Sequence, residues 1–194
     1  EVMTAPRGWM RMVALALTLV AAGAVAFVLT SGPAGNVVAR VARIEGDVQR
    51  DERGHENQWH VAGVGDELVF GDAVRTGDKA KATVVLADGS SLDLEPGTLV
   101  RFLEDAQEAP RFRVDTGLAL FESTGTGLSI ATSTGVVHVD PRTRVRIAQD
   151  DAGLRMEVTF GRSSFLNADQ AARALMPGDE LSVQINQAAA DGSV

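Results

Sequence analysis

Lys81–Phe102 reads KATVVLADGSSLDLEPGTLVRF, and the alternation in this stretch decides the fold class. Ala82, Val84 and Leu86, then Leu92, Leu94, Val100 and Phe102, form one apolar set, while Lys81, Thr83, Asp93 and Glu95 take intervening positions. Successive side chains of a β-strand point to opposite faces, so this spacing predicts strands buried on one side. Val85 interrupts the pattern without destroying it. Asp88-Gly89 and Pro96-Gly97 read as corners, because aspartate bonds nearby amides and glycine adopts backbone angles closed to other residues.

The same period continues on both sides. Downstream, Phe112, Val114, Leu118 and Leu120 flank a predicted turn at Thr116-Gly117, and Val137 and Val139 lead through Asp140-Pro141 to Val145 and Ile147. Leu154, Met156, Val158 and Phe160 alternate before Gly161, then Phe165 and the closing PGDELSVQI of Pro177–Ile185 follow. Gly46, Gly71, Asp72, Gly77, Asp88, Gly89, Pro96, Gly97, Gly161, Pro177 and Gly178 are the expected structural turn positions. About a dozen short strands fit a sandwich, a rolled barrel or a β-helical stack, and spacing does not choose among them. Ala171–Met176 is expected to form a brief helical turn that Pro177 stops.

Composition narrows the function classes. The 194 residues carry a formal charge of −8, with 20 glycines, 6 prolines and no cysteine. Disulfides, thiolate metal sites and thiol catalysis are therefore excluded, and no nucleic-acid surface is expected from so acidic a chain. Met12–Thr30, MVALALTLVAAGAVAFVLT, is an uncharged run that as a helix spans about 28 Å, close to the roughly 30 Å of bilayer hydrocarbon. It predicts a transmembrane helix with Met12, Leu15, Leu17, Leu19, Phe27 and Leu29 facing inner-membrane lipid. Arg7 and Arg11 before it favour a cytoplasmic N-terminus. The expected organisation is a cytoplasmic segment 1–11, the helix 12–30, a linker 31–36, a periplasmic β domain 37–187 and a tail 188–194.

Gly71–Phe102, with Gly71-Asp72, Thr76-Gly77, Asp88-Gly89-Ser90 and Pro96-x-Thr98 in order, resembles the FecR-like domain family of bacterial envelope proteins. ARIEGDVQ upstream, ATSTGVVHVDPRTRVRI downstream and GRSSFLNADQAARALMPGDELSV near the end extend the likeness over roughly Val37–Val183. At Asp140-Pro141-Arg142-Thr143 the chain departs from the Arg-Gly-Thr element common in that family. The resemblance implies a mainly β fold, a β-sandwich or β-helix-like domain, here preceded by one transmembrane α-helix. It also implies a periplasmic role in receiving or scaffolding protein interactions; in regulators related to FecR, an upstream cytoplasmic segment controls a sigma factor.

No residue pattern specifies catalysis, a metal or a cofactor. His55, Glu56 and His60 lack the helical HExxH placement and read as a polar loop, and GTGLS at Gly125–Ser129 lacks the context of a nucleophile elbow. Trp59 and the arginines of RFRV and PRTRVRI, Arg111, Arg113, Arg142, Arg144 and Arg146, are the candidate partner contacts, as an aromatic anchor with a basic stripe. The expected function is non-enzymatic: a protein-interaction domain binding an envelope protein or larger membrane complex, in assembly or signal coupling. The alternatives are a module binding polysaccharide or peptidoglycan, a cell-wall polymer, and an anti-sigma-type regulator whose cytoplasmic part lies upstream of Glu1.

Overall fold

A computed structural model describes residues 37–52, 58–103, 111–169 and 171–185. Every regular element among them is a strand: β1 (Val37–Glu45), β2 (Val48–Asp51), β3 (Trp59–Val61), β4 (Glu67–Val69), β5 (Ala73–Thr76), β6 (Lys81–Leu86), β7 (Ser91–Leu94) and β8 (Leu99–Phe102). The long β9 (Phe112–Ser123) follows, then β10 (Leu128–Ala131), β11 (Gly135–Val139), β12 (Thr143–Asp150), β13 (Gly153–Phe160), β14 (Ser163–Asn167), β15 (Ala172–Leu175) and β16 (Glu180–Gln184). The fold class is therefore corrected to mainly β without the expected membrane helix: among the described residues no helix is long and apolar enough to cross a membrane. The anchor residues, within 12–30, lie outside the described residues.

Two ladders share β9. One runs β4-β1-β6-β7-β9-β12-β13-β16 and uses the C-terminal half of β9, Gly117–Ser123. The other runs β3-β2-β5-β8-β9-β10-β11-β14-β15 and uses its N-terminal part, Phe112–Thr116. Their inward side chains make one core. Val41, Val84, Leu92, Phe121, Ile147 and Met156 come from the first ladder, and Val48, Val74, Phe102, Phe112, Ile130 and Phe165 from the second. Phe112 meets Phe102 edge to face, with centroids 5.6 Å apart, and meets Phe121 at 6.4 Å, so the aromatic cluster bridges both halves of β9. Burying each such side chain contributes about 1.5–3 kcal/mol before entropy is counted.

Thr116-Gly117 does not turn the chain. It is the point at which β9 passes from one ladder to the other, beside an irregularity in the register between Leu99/Thr116 and Val100/Val114. Before it the even positions Phe112 and Val114 are buried; after it the odd positions Ala119, Phe121 and Ser123 are. An extra residue in a strand inverts every side chain that follows. Leu118 and Leu120 consequently face outward, only partly covered. Ala172–Leu175 likewise corrects the expected helical turn: it is a strand on β14, with Asn167 Oδ1 accepting the Ala171 N–H at 2.8 Å to close the hairpin.

One device recurs where strands change ladder. Leu94-Glu95-Pro96-Gly97-Thr98 leaves β7 for β8, and β9 returns through Gly117 to pair with β7, Leu94 opposite Ala119. Val139-Asp140-Pro141-Arg142-Thr143 leaves β11 for β12, and after β13 the chain returns through Gly161 to pair β14 with β11, Val139 opposite Ser163. In the first corner the buried Thr98 hydroxyl donates to the Leu118 carbonyl at 2.9 Å and accepts the Leu118 N–H at 3.0 Å. In the second, Thr143 donates to the Arg162 carbonyl at 3.1 Å and accepts the Arg162 N–H at 3.0 Å. Each hydroxyl satisfies the N–H that follows the returning glycine and shares the carbonyl with a backbone donor, the Glu95 N–H at Leu118 and the Asp140 N–H at Arg162.

Smaller corners share a second device. Asp66, Asp72 and Asp179 each accept, through Oδ2, the N–H three residues back: Gly63 at 2.9 Å, Val69 at 3.0 Å and Met176 at 2.9 Å. Each closes an x-x-Gly-Asp turn. Gly46, Gly77 and Asp88-Gly89 also lie between consecutive strands.

Candidate interaction surfaces

The outer faces of the two ladders separate the arginines that the sequence groups together. On the second ladder, Trp59 of the edge strand β3 carries Arg75 over its ring, the guanidinium carbon 4.1 Å from the centroid, while Arg75 Nε donates to Gln49 Oε1 at 3.0 Å. Such a stacked cation contributes about 0.5–1 kcal/mol at an exposed site. Arg101 on β8 donates to Asp115 Oδ2 at 2.6 Å. Arg113 stands directly opposite Arg101 in the ladder. Asp51, opposite Trp59, is buried, and its Oδ1 has no hydrogen-bond partner. Arg111 precedes β9, its N–H donating to the Ser129 carbonyl at 3.0 Å.

Arg144 and Arg146 belong to the other face, on β12 of the first ladder. Arg144 pairs with Glu122 at 2.5 Å, both side chains about half exposed, a geometry that contributes little in water. Arg142 occupies the corner before β12 with φ 56°, the only described non-glycine residue in the left-handed region. The structure thus places Trp59 and Arg113 on one face, Arg144 and Arg146 on the other, and Arg142 at a corner.

Arg146 also lines a depression of about 340 Å³ on the first ladder's outer face. Its floor includes Leu118 and Leu120, and charged groups surround it: Arg43 paired with Glu45 at 2.6 Å and Lys81 paired with Glu95 at 2.6 Å. Asp93 also lines it and accepts the Thr83 hydroxyl at 2.7 Å. Sequence reasoning missed this cluster because it assigned Leu118 and Leu120 to the core; the available signal was the glycine at position 117, which inverts the strand.

Among the described residues neither face brings together a catalytic constellation. Ser129 Oγ lies 3.4 Å from His138 Nδ1, but both side chains sit on an open sheet surface, without the orienting acid or oxyanion donors that a nucleophilic serine requires. Among the described residues no group of three or more His, Asp or Glu side chains could hold a metal ion. His55 and Glu56 lie outside the described residues. One carboxylate is perturbed. Burial raises Asp88, but hydrogen bonds from the Ser90 N–H, the Thr126 hydroxyl and the Ser90 hydroxyl outweigh it and hold the carboxyl below its usual range.

No curated protein matches the chain. Two crystal structures of a candidate anti-sigma factor from Parabacteroides distasonis are similar at 16% identity and a TM-score of 0.48, over 58% of this chain and 59% of that one. The chain thus spans about three fifths of that protein's crystallised length. Residues 72–162 match the model of the FecR protein family. The matched segment opens at the Asp72 turn and closes just past Gly161, so it contains both Pro-x-Thr corners and both returns. On that match the chain carries a FecR-like, mainly β domain.

Proposed function

We propose that this chain acts by noncovalent signal coupling of the anti-sigma type, with residues 37–187 as the sensing domain on the periplasmic side. The observation that carries this reading is the FecR match over 72–162. A partner protein binding an outer sheet face would bias the state transmitted to the cytoplasm, and no turnover is required. This reading stands ahead of static scaffolding because the resemblance is to a family related to membrane regulators of sigma factors.

Replacing the native gene by one lacking residues 37–187 tests it. The expected result is altered transcription of a small, discrete set of promoters recognised by one sigma factor. Unchanged transcription together with a defect in envelope assembly would reassign the domain to scaffolding. Saturable cosedimentation with purified peptidoglycan, without any transcriptional change, would reassign it to polymer binding.

A further inference from the structure

Leu118 and Leu120 lie on an outward sheet face, where polar residues normally stand, and form the floor of the depression described above. The strand inversion at Gly117 puts them there. On the surrounding face, Arg43–Glu45 and Lys81–Glu95 neutralise each other. Within it, register sets a row Thr83, Asp93, Leu120, Arg146 across four neighbouring strands. Among the described residues Asp93 accepts a hydroxyl and forms no ion pair, and Arg146, which stands opposite Glu157 of β13, forms none either. The depression is therefore lined by one charge of each sign that forms no ion pair, on either side of an apolar floor.

We infer that this depression docks an extended segment of a protein partner carrying a basic, an apolar and an acidic side chain at alternate positions. The inference rests on the interaction role proposed above. Neighbouring strands are about 4.8 Å apart, which separates Asp93 and Arg146 by roughly 9.6 Å at their backbones. Side chains at i, i+2 and i+4 of an extended segment share a face and span about 13 Å, and the small excess at each end is within the reach of long side chains. The basic group meets Asp93, the acidic group meets Arg146, and the apolar side chain covers Leu118 and Leu120. An apolar centre enclosed by polar groups is the usual anatomy of a protein interface. A segment of single sign would set like charges against either Asp93 or Arg146 and lose one of the two pairings.

Isotope-labelled full chain titrated with three capped pentapeptides, KSLSE, KSLSK and ESLSE, tests the inference by NMR. KSLSE is expected to shift the Leu118 and Leu120 methyl resonances at concentrations at least about tenfold lower than the other two, the factor that about 1.4 kcal/mol of charge pairing supplies. Arg146→Glu is expected to transfer the preference to KSLSK, and Asp93→Lys to ESLSE. Both substitutions are at surface positions, and the amide spectrum reports whether the fold is kept. Equal responses to all three peptides, or a preference unchanged by the variants, overturns the site. Concentration-dependent shifts at Leu120 without peptide assign the face to a second copy of the chain and also overturn it. If no peptide binds while a native partner still crosslinks to the domain, this site falls and the interaction role stands.

Discussion

The corners at Pro96-Gly97-Thr98 and Pro141-Arg142-Thr143 perform one task with different residues at one position. Both put the middle residue in the left-handed region, Gly97 at φ 68° and Arg142 at φ 56°, and both follow it with a buried threonine that bonds both backbone groups of the residue after a returning glycine. The threonine–glycine contact is the constant part. The middle residue varies at a cost, since a left-handed angle is about 1–2 kcal/mol less favourable for a residue with a Cβ. The first corner is also tied to its neighbour: Thr98 donates its N–H to Thr76 Oγ1 at 2.9 Å, and Thr76 donates its hydroxyl to the Glu95 carbonyl at 2.6 Å.

The comparison can be broken hardest at the returning glycines. A Cβ on Gly117 would stand 2.4 Å from Thr98 Cα and 2.6 Å from the Gly97 carbonyl; one on Gly161 would stand 2.7 Å from Thr143 Cα and 2.8 Å from the Arg142 carbonyl. Both glycines also hold positive φ, 92° and 83°. Gly117→Ala is expected to destabilise by about 3 kcal/mol or more, and Gly161→Ala by somewhat less, in urea denaturation. Equal, negligible losses would show that the corners accommodate a Cβ by moving apart.

The threonines sharpen the comparison at the next scale. Thr98→Val and Thr143→Val each remove the acceptor of one N–H, Leu118 or Arg162, while the carbonyls keep the Glu95 and Asp140 N–H donors, with an expected cost of about 1–3 kcal/mol. The two costs are expected to be similar, because each hydroxyl makes the same pair of bonds. At the middle position the signs should oppose: Arg142→Gly is expected to stabilise and Gly97→Ala to destabilise, each by about 0.5–1 kcal/mol. Measured thermal midpoints for the pair decide this. Stabilisation by both, or by neither, contradicts the equivalence of the two corners.

The smallest effect concerns Asp88, whose hydroxyl and amide partners tie the β6–β7 corner to Thr126. Its carboxyl is depressed in the folded protein, so its contribution is present above the ordinary aspartate range and fades as pH falls through the folded value. The stability difference between the native chain and Asp88→Asn should therefore be present near neutral pH and vanish in acid. A difference that grows on acidification would contradict the assignment.

Much of the core was legible because period-two spacing survives wherever a strand stays within one ladder. Ala82, Val84, Leu86, Leu92, Leu94, Val100 and Phe102 are all buried. The pattern failed at Gly117, where one strand serves two ladders, and at Phe160, which is 64% exposed beside an irregularity in the β12–β13 register. It also failed at Ala172–Leu175, where pairing with β14 outweighed local helical preference. The candidate contacts show a harder limit. Arg113 and Arg146 follow the same alternation in sequence, yet the strands that carry them present opposite layers of the fold, and only the ladder register reveals it.

This FecR-like domain is proposed to work by binding a protein through the face containing Leu120. A photo-crosslinking side chain placed in living cells at Leu120, with Val61 on the other ladder's exposed edge as the comparison site, tests it most directly. One discrete protein adduct is expected from Leu120, reduced by Asp93→Lys and by Arg146→Glu. No adduct from Leu120, or the same adducts from both positions regardless of those substitutions, would contradict it.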